Sequence, residues 1–523
     1  MVIGAGPNGL VAANLLADRG WDVVVLEAQE VPGGAVKSAE LVEPGFVNDV
    51  FSAFYPLGVA SPVLRDLDLG AFGLRWKRAP LALAHPATDG TCAVLSTDID
   101  ETAAALDRHT PGDGDGWRRL YGRWERMGGP LLDCVLRPFP PVRGSLKLLG
   151  AQRRSDLGDL TRFLTLSVRR LGEETFAGEE GRRLLAGCAL HTDLFPESSI
   201  GAVVGWLLAA LGQDVGWPVP EGGAGRLTDA LVARLQNAGG RIECSSPVAS
   251  VVVRGRRAVA VRTAAGVEID ATRAVVADVA APALFLDLVG PDHLPAGFVQ
   301  AVRHFEWDHA TVKVDWTLDG PIQWEADDAR RAGTVHVCDS VDALTVQAAQ
   351  LAVGLVPDPL FLIVGQQGLA DPSRAPAGKE VAWAYTHVPQ HVRGDAGDSG
   401  ITGVWDTAEA DAMADRVEAE IELLAPGFRS LVRGRHVLTP RSMEAADANL
   451  VGGATNGGTG QLHQQLVFRP VAGLGRAETP VRGLYLGSAS AHPGGGVHGA
   501  CGANAARAAL LGDRLRLGSK RRA

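Results

Sequence analysis

Three glycines close to the amino terminus have the spacing that a dinucleotide requires. Gly4-Ala5-Gly6-Pro7-Asn8-Gly9 reads G-x-G-x-x-G, and each glycine answers a different physical need. Gly4 allows a tight turn, Gly6 lets backbone come close to a pyrophosphate, and Gly9 lets helix and strand pack closely. The flanks make the pattern informative. Val2-Ile3 ends a very short strand, and Leu10, Ala13, Leu16 and Ala17 recur at helical spacing. Arg19-Gly20 closes that helix, and the run from Asp22 to Glu27 reads as a buried strand. A diphosphate on the glycine turn meets the positive end of the helix. Glu27 ends the second strand, where a carboxylate accepts hydrogen bonds from a ribose diol and opposes a 2′-phosphate, which argues against NADP.

Glycine clusters recur farther along the chain. Glu27 is followed by Ala28-Gln-Glu-Val-Pro-Gly33-Gly34-Ala35. In mid-chain, Gly222-Gly-Ala-Gly225 enters a helix at about 226–238, and Gly239-Gly240 leads through a strand run to Val248. Near the end, Leu484-Tyr-Leu-Gly487 reads as a strand. After it, Ser-Ala-Ser-Ala-His492-Pro-Gly494-Gly495-Gly496-Val497-His498-Gly499-Ala-Cys-Gly502 forms a loop able to press backbone against a flat ring before a final helix begins.

Together these segments resemble the FAD fingerprint of the glutathione-reductase-like superfamily, in the branch that holds amine oxidases, phytoene desaturases and carotenoid isomerases. Two further patches, Ala454-Thr-Asn-Gly457-Gly458-Thr-Gly-Gln-Leu-His463 through Arg469-Pro470, and Cys188-Ala-Leu-His191-Thr-Asp193, look like its phytoene dehydrogenase-like subfamily, typified by pyridine nucleotide-disulfide oxidoreductase domain-containing protein 2. The resemblance covers nearly the full length and is dense at 1–60, 185–280 and 440–510. It implies FAD as the cofactor. Gly4, Gly6, Pro7, Asn8, Gly9, Glu27, Ala28, Gly33, Gly34 and Ala35 would lie along its diphosphate and ribose. Val248 would offer its backbone N–H and C=O to the adenine, and Gly487, His492, Gly495, Gly496 and Val497 would lie at the flavin. N–H groups of the final helix would stabilise negative charge on the reduced ring. The fingerprint usually carries Arg after Gly-Gly; Ala35 stands there instead, so the contact such an Arg makes is not expected. The resemblance further implies hydride transfer from a C–H bond to flavin N5, with loss of a second proton to leave a double bond. The substrate class it implies is apolar and isoprenoid-like, and the electron acceptor is oxygen, a quinone or a nicotinamide. His492, His498 and His463 are the weak candidates for proton transfer, against a competing role in loop hydrogen bonding; no base is assigned.

The elements that must position these segments are spread along the chain. The expectation is an α/β fold in which a Rossmann-like FAD-binding domain is discontinuous, at 1–75, 217–280 and 436–523. A mixed α/β substrate domain at 76–216 and 281–435 is inserted in it. Charged helices are expected near 100–108, 117–127 and 158–171. Short β runs lie at 241–269 and end in Ala274–Ala277. Further strands are expected at Ala310–Leu318, Leu360–Val364 and Glu380–Tyr385, with a helix over Ala408–Leu424. The Gly-, Pro- and Asp-rich segment 366–400 reads as surface loops. The tail from Lys520 to Ala523 is expected to fray. The first strand starts almost at Met1, which is consistent with a residue or more missing upstream or with a misassigned start codon.

Composition sets the outer limits. The chain has 523 residues, 46% of them hydrophobic and 21% charged, which is ordinary for a globular protein. A formal net charge of −10 argues against nucleic acid as a partner. The six scattered cysteines form no C-x-x-C pair, so they read as free thiols in a reducing, cytoplasmic setting, and no metal motif, nucleophile elbow or P-loop is present. The most apolar helical run, Ile200–Leu211, is too short for a ~30 Å hydrocarbon core and reads as a buried helix. Peripheral contact with a membrane remains compatible with an apolar substrate. Alternative readings are a flavin-dependent isomerase, an amine oxidase, and a non-catalytic binding or regulatory protein on the same fold. The scarcity of tyrosines, four in all, counts against amine oxidation.

Overall fold

The computed structural model describes residues 1–151 and 157–520. The tail residues 521–523, expected to fray, lie outside the described residues.

Two sheets organise the chain. The first is a five-stranded, wholly parallel sheet in the order Leu484–Leu486, Val275–Ala277, Val2–Ile3, Val24–Leu26, Arg241–Glu243. Its strands are only two or three residues long, yet Val2, Val25, Val275 and Val276 are fully buried, because helices cover one face and Val251, Ala258, Val261 and Phe285 pack on the other. The first helix, Pro7–Ala17, starts with proline where no N–H is needed. It packs between the helix Gly225–Asn237 and the final helix Ala500–Lys520. Close packing is possible because a Cβ on Gly502 would fall 1.9 Å from the Asn8 carbonyl oxygen. Beside this sheet lies the antiparallel meander Val248–Arg254, Arg257–Thr263, Glu268–Asp270.

The second sheet has seven strands and is mixed. Its order is Val432–Leu438, Ala310–Leu318, Glu380–Val388, Leu362–Gly365, Ala332–Val337, Leu81–Pro86, Cys92–Leu95. Every residue of Ala310–Leu318 and of Ala332–Val337 is buried, so both faces are covered. One face packs on the helix Thr407–Leu424 around Trp316, Trp324 and Phe428. The other faces the helices Asp113–Val135, Glu179–Ala189 and Gly201–Val215.

Three local readings change. The expected helix 158–171 is two helices, Leu157–Phe163 and Val168–Thr175, because Ser167 caps the second with its side chain on the Arg170 N–H. Segment 366–400 is not all surface loop: Glu380–Val388 is an inner strand of the second sheet. The apolar run at 200–211 becomes the helix Gly201–Val215, with Ala202, Trp206, Ala209 and Ala210 in the core while Val203, Val204, Leu207 and Leu208 are only partly buried.

Candidate active site

The first glycine turn folds as its spacing requires. A Cβ on Gly9 would lie 2.2 Å from the Gly4 carbonyl oxygen, and Gly4 itself has φ +90°. Glu27, buried at the end of its strand, accepts from the Ala5 N–H at 2.6 Å and the Gln29 N–H at 2.9 Å. A carboxylate has about four lone-pair sites, so two remain for a diol. The second glycine pair closes over the first. Gly33 N–H donates to the Ala5 carbonyl at 2.9 Å, and a Cβ on Gly34 would lie 3.0 Å from the Gly6 Cα. Ala28 is exposed beside Glu27. Val248 opens the meander two residues after Ser246, whose N–H bonds the Glu27 carbonyl.

A cavity of about 100 Å³ runs from this turn to the terminal glycine loop. Gly6, Pro7, Asn8, Gly34 and Ala35 line one end, and Gly495, Gly496, Val497 and His498 the other. Gly487 does not line it; its N–H bonds the Ala277 carbonyl and ties the last strand to the sheet. His492 is buried with Nε2 on the Arg137 carbonyl at 2.9 Å, and His498 Nδ1 accepts from the Ala500 N–H at 3.0 Å. Burial holds both imidazoles down, to about 4, so both are neutral near pH 7. Both rings are engaged in ordering the loop. His463 stands apart from both cavities: it is well exposed and pairs with Glu306 at 2.7 Å.

Sequence reasoning missed Asp278, which follows directly on the strand Val275–Ala277. Its carboxylate accepts from the Gly9 N–H at 2.7 Å, and a Cβ on Gly6 would fall 2.8 Å from it. Asn449 ties this segment down, accepting from the Ala280 N–H at 2.8 Å and donating to the Asp278 carbonyl at 3.2 Å. The one signal available was position, an acidic residue leaving an apolar strand toward the glycine turn.

A larger cavity of about 310 Å³ joins the smaller one, since Ala35, Leu450, Thr455, Gly495, Gly496 and Val497 line both. The second sheet makes its floor. In register across four strands lie Lys313, Tyr385, Ile363 and His336, so these side chains share a face. The neighbouring row holds Asp315, Trp383, Gly365 and Thr334. Gly365 is required there, because a Cβ would lie 2.2 Å from the Trp383 ring. Trp383 stacks on Tyr385 with centroids 5.9 Å apart, and Val204, Leu207 and Leu208 form a wall. Among the described residues the only charged one on the lining is Lys313, already bonded to Asp315 at 2.6 Å and to the Asp49 carbonyl at 2.9 Å. Of the two patches that carried the family resemblance, Cys188, His191, Thr192, Thr455 and Asn456 reach this cavity. His191 Nε2 lies 2.8 Å from His336 Nε2, and burial pushes both imidazoles down, His191 to about 3. Two neutral rings at that distance share one N–H, which leaves His191 Nδ1 as its nitrogen for a ligand.

The residues present fit FAD. At the helix start only the Gly9 N–H is taken, by Asp278; a Cβ on Gly4, Gly6 or Gly9 would strike Asp278 or the turn's own backbone, and the cleft leads to a backbone-lined wall. When bound there, the dinucleotide's diphosphate would be held by the helix start, its ribose by Glu27, and its ring by Gly495–Val497.

Comparisons with known proteins agree with this geometry. Residues 8–381 match the family described as flavin containing amine oxidoreductase. The chain is 30% identical to pyridine nucleotide-disulfide oxidoreductase domain-containing protein 2 of Rattus norvegicus, over 97% of this chain and 92% of that one. It is 26% identical to the phytoene desaturase (lycopene-forming) of Pseudescherichia vulneris, over 98% of each. The fold is shared with a crystallised oxidoreductase from Methanosarcina mazei at a TM-score of 0.63 and 16% identity, covering 98% of this chain and 99% of that one. With a glycine turn, a paired glycine closure and a backbone-lined ring wall on one cleft, the chain belongs to the flavin-containing amine oxidoreductase family and is an oxidoreductase that uses FAD.

Proposed function

We propose that this oxidoreductase dehydrogenates an apolar, isoprenoid-like substrate held in the larger cavity. One observation carries this reading: no carboxylate lines that cavity among the described residues, and its one charged side chain is a lysine. An ammonium group entering it would find no counter-charge, and burying an unpaired charge is costly. An extended hydrocarbon would instead meet Leu57, Val204, Leu207, Leu208, Ile363 and Trp383. FAD, when bound, supplies the hydride acceptor. The chain's own residues orient the substrate and exclude water, and His191, a neutral ring held by His336, lines the wall beside it. The substrate named for the phytoene desaturase relative supports this choice, and the acceptor would be oxygen, a quinone or a nicotinamide.

The test is anaerobic mixing of FAD-loaded protein with an isoprenoid hydrocarbon or with a diamine, followed by the visible flavin bands. Bleaching by the hydrocarbon, and recovery on adding oxygen or a quinone, supports the reading. Bleaching by the diamine alone overturns it in favour of amine oxidation. Conversion of the hydrocarbon without net oxidation, requiring pre-reduced flavin, overturns it in favour of isomerisation.

A further inference from the structure

Arg469 is fully buried, and among the described residues no carboxylate accepts from it. Its guanidinium donates to the carbonyls of Asn456 and Gly457 at 3.0 Å, Thr459 at 2.9 Å and Ala489 at 2.8 Å. Only a planar fork with five N–H groups can serve so many acceptors at once. The same loop sends its N–H groups the other way. Thr455 and Asn456 donate to Asp308 Oδ2 at 2.9 Å each, and Gly458 to Asp308 Oδ1 at 3.1 Å. Asp308 is also buried. The peptide units from 455 to 459 are thus strung between a buried anion and a buried cation.

This loop lies where the two cavities meet. Asn456 lines the larger one, Gly457 and Ala489 the smaller, and Thr455 both. On the terminal loop, a Cβ on Gly494 would lie 3.4 Å from the guanidinium carbon. The positive end of the pair therefore stands one peptide layer behind the backbone assigned to the flavin, and Asp308 stands on the far side of the loop from it.

We propose that Arg469 is a positioning residue that fixes the shared wall and, through its charge, favours the reduced flavin, while Asp308 opposes it. This rests on the placement of FAD in the smaller cavity. The couple concerned is the two-electron, one-proton reduction that leaves one negative charge on the ring, the proton coming from solvent. A cation behind the wall stabilises the charged product more than the neutral reactant.

The test reads the midpoint potential of bound FAD by dye-equilibrated reduction of the holoprotein, which needs no substrate. Arg469→Met is expected to shift the reduction equilibrium at least tenfold toward the oxidised form, about 30 mV for a two-electron couple. Arg469→Lys keeps the charge but not the fork, and its potential is expected to lie between those of wild type and Arg469→Met. Asp308→Asn keeps an acceptor for the loop but loses the charge, and is expected to shift the potential in the opposite direction. If Arg469→Met fails to fold, Asp308→Asn and Arg469→Lys still decide. Potentials unchanged in FAD-loaded variants, or moved in the same direction by Arg469→Met and Asp308→Asn, overturn the proposal. Wild-type protein that takes up no FAD overturns the site assignment itself.

Discussion

Asp278 sets a pH limit on the flavin site. Its carboxylate is 5% exposed and takes the Gly9 N–H at the helix start where the diphosphate is placed. Burial is the main cause that pushes its pKa from 3.8 up to about 7; the Gly9 hydrogen bond opposes the rise, and Asp447 and Glu27 add to it. At about 1.4 kcal/mol per pH unit, that rise is about 4 kcal/mol against the ionised form. A bound diphosphate adds to it: two unit charges about 6 Å apart repel by about 3 kcal/mol at an effective dielectric constant of about 20. FAD is therefore taken up with one proton once Asp278 is ionised in the free protein. The sign follows from the raised pKa. Affinity is level below about pH 7 and falls above it, approaching tenfold per pH unit. Asp278→Asn keeps an acceptor for the Gly9 N–H and carries no charge. It should match wild type near pH 6, bind FAD at least about tenfold more tightly near pH 8.5, and lose the pH slope. Titrating FAD with apoprotein and following flavin fluorescence between about pH 6 and 9 measures both. Equal slopes in the two proteins, or a level curve for wild type, would refute a carboxylate charge facing the diphosphate.

Other perturbations test the rest of the site. Gly9→Ala places a Cβ 2.2 Å from the Gly4 carbonyl oxygen, so the turn must open and FAD retention after desalting should fall more than about tenfold. Leu207→Trp fills part of the 310 Å³ cavity and should abolish flavin bleaching by a hydrocarbon while FAD content stays at wild-type level. FAD loss in that variant would mean that the wall supports the cofactor site instead. Asp49→Ala removes one of the two carboxylates on the fully buried Arg374, at 3.0 Å, while Asp371 stays at 2.8 Å, and should lower stability by about 2–3 kcal/mol in denaturant melts. His191→Phe keeps ring volume but removes the nitrogen facing the ligand. It should slow flavin bleaching by substrate and leave the spectrum of oxidised FAD unchanged.

The glycine turn was legible because its spacing is local and Gly9 meets the Gly4 carbonyl within it, although Gly4 and Gly6 are hemmed in by the distant Asp278. The floor of the larger cavity was not. Lys313, Tyr385, Ile363 and His336 come from four strands and meet only through strand order, which alternation along any one strand does not carry. Tyr55 and Tyr385, two of the four tyrosines, line that cavity, so a count of tyrosines was a poor guide to aromatic rings near the ring wall. The helix Gly201–Val215 misled differently. Apolar residues all round imply burial, and periodicity does not distinguish a core from a hollow. The histidines of the terminal motif read from sequence as brace more readily than as base, and their partners, Arg137 and Ala500, have them bracing the loop.

The parallel sheet draws its strands from residues 2–3, 24–26, 241–243, 275–277 and 484–486. The glycine turn is made hundreds of residues before Val275–Ala277, which pairs with Val2–Ile3, and before the helix Ala500–Lys520, which covers Pro7–Ala17. Over that interval a nascent chain carries an unfinished sheet edge, open to chaperones. The cleft assigned to FAD is complete only when both have arrived.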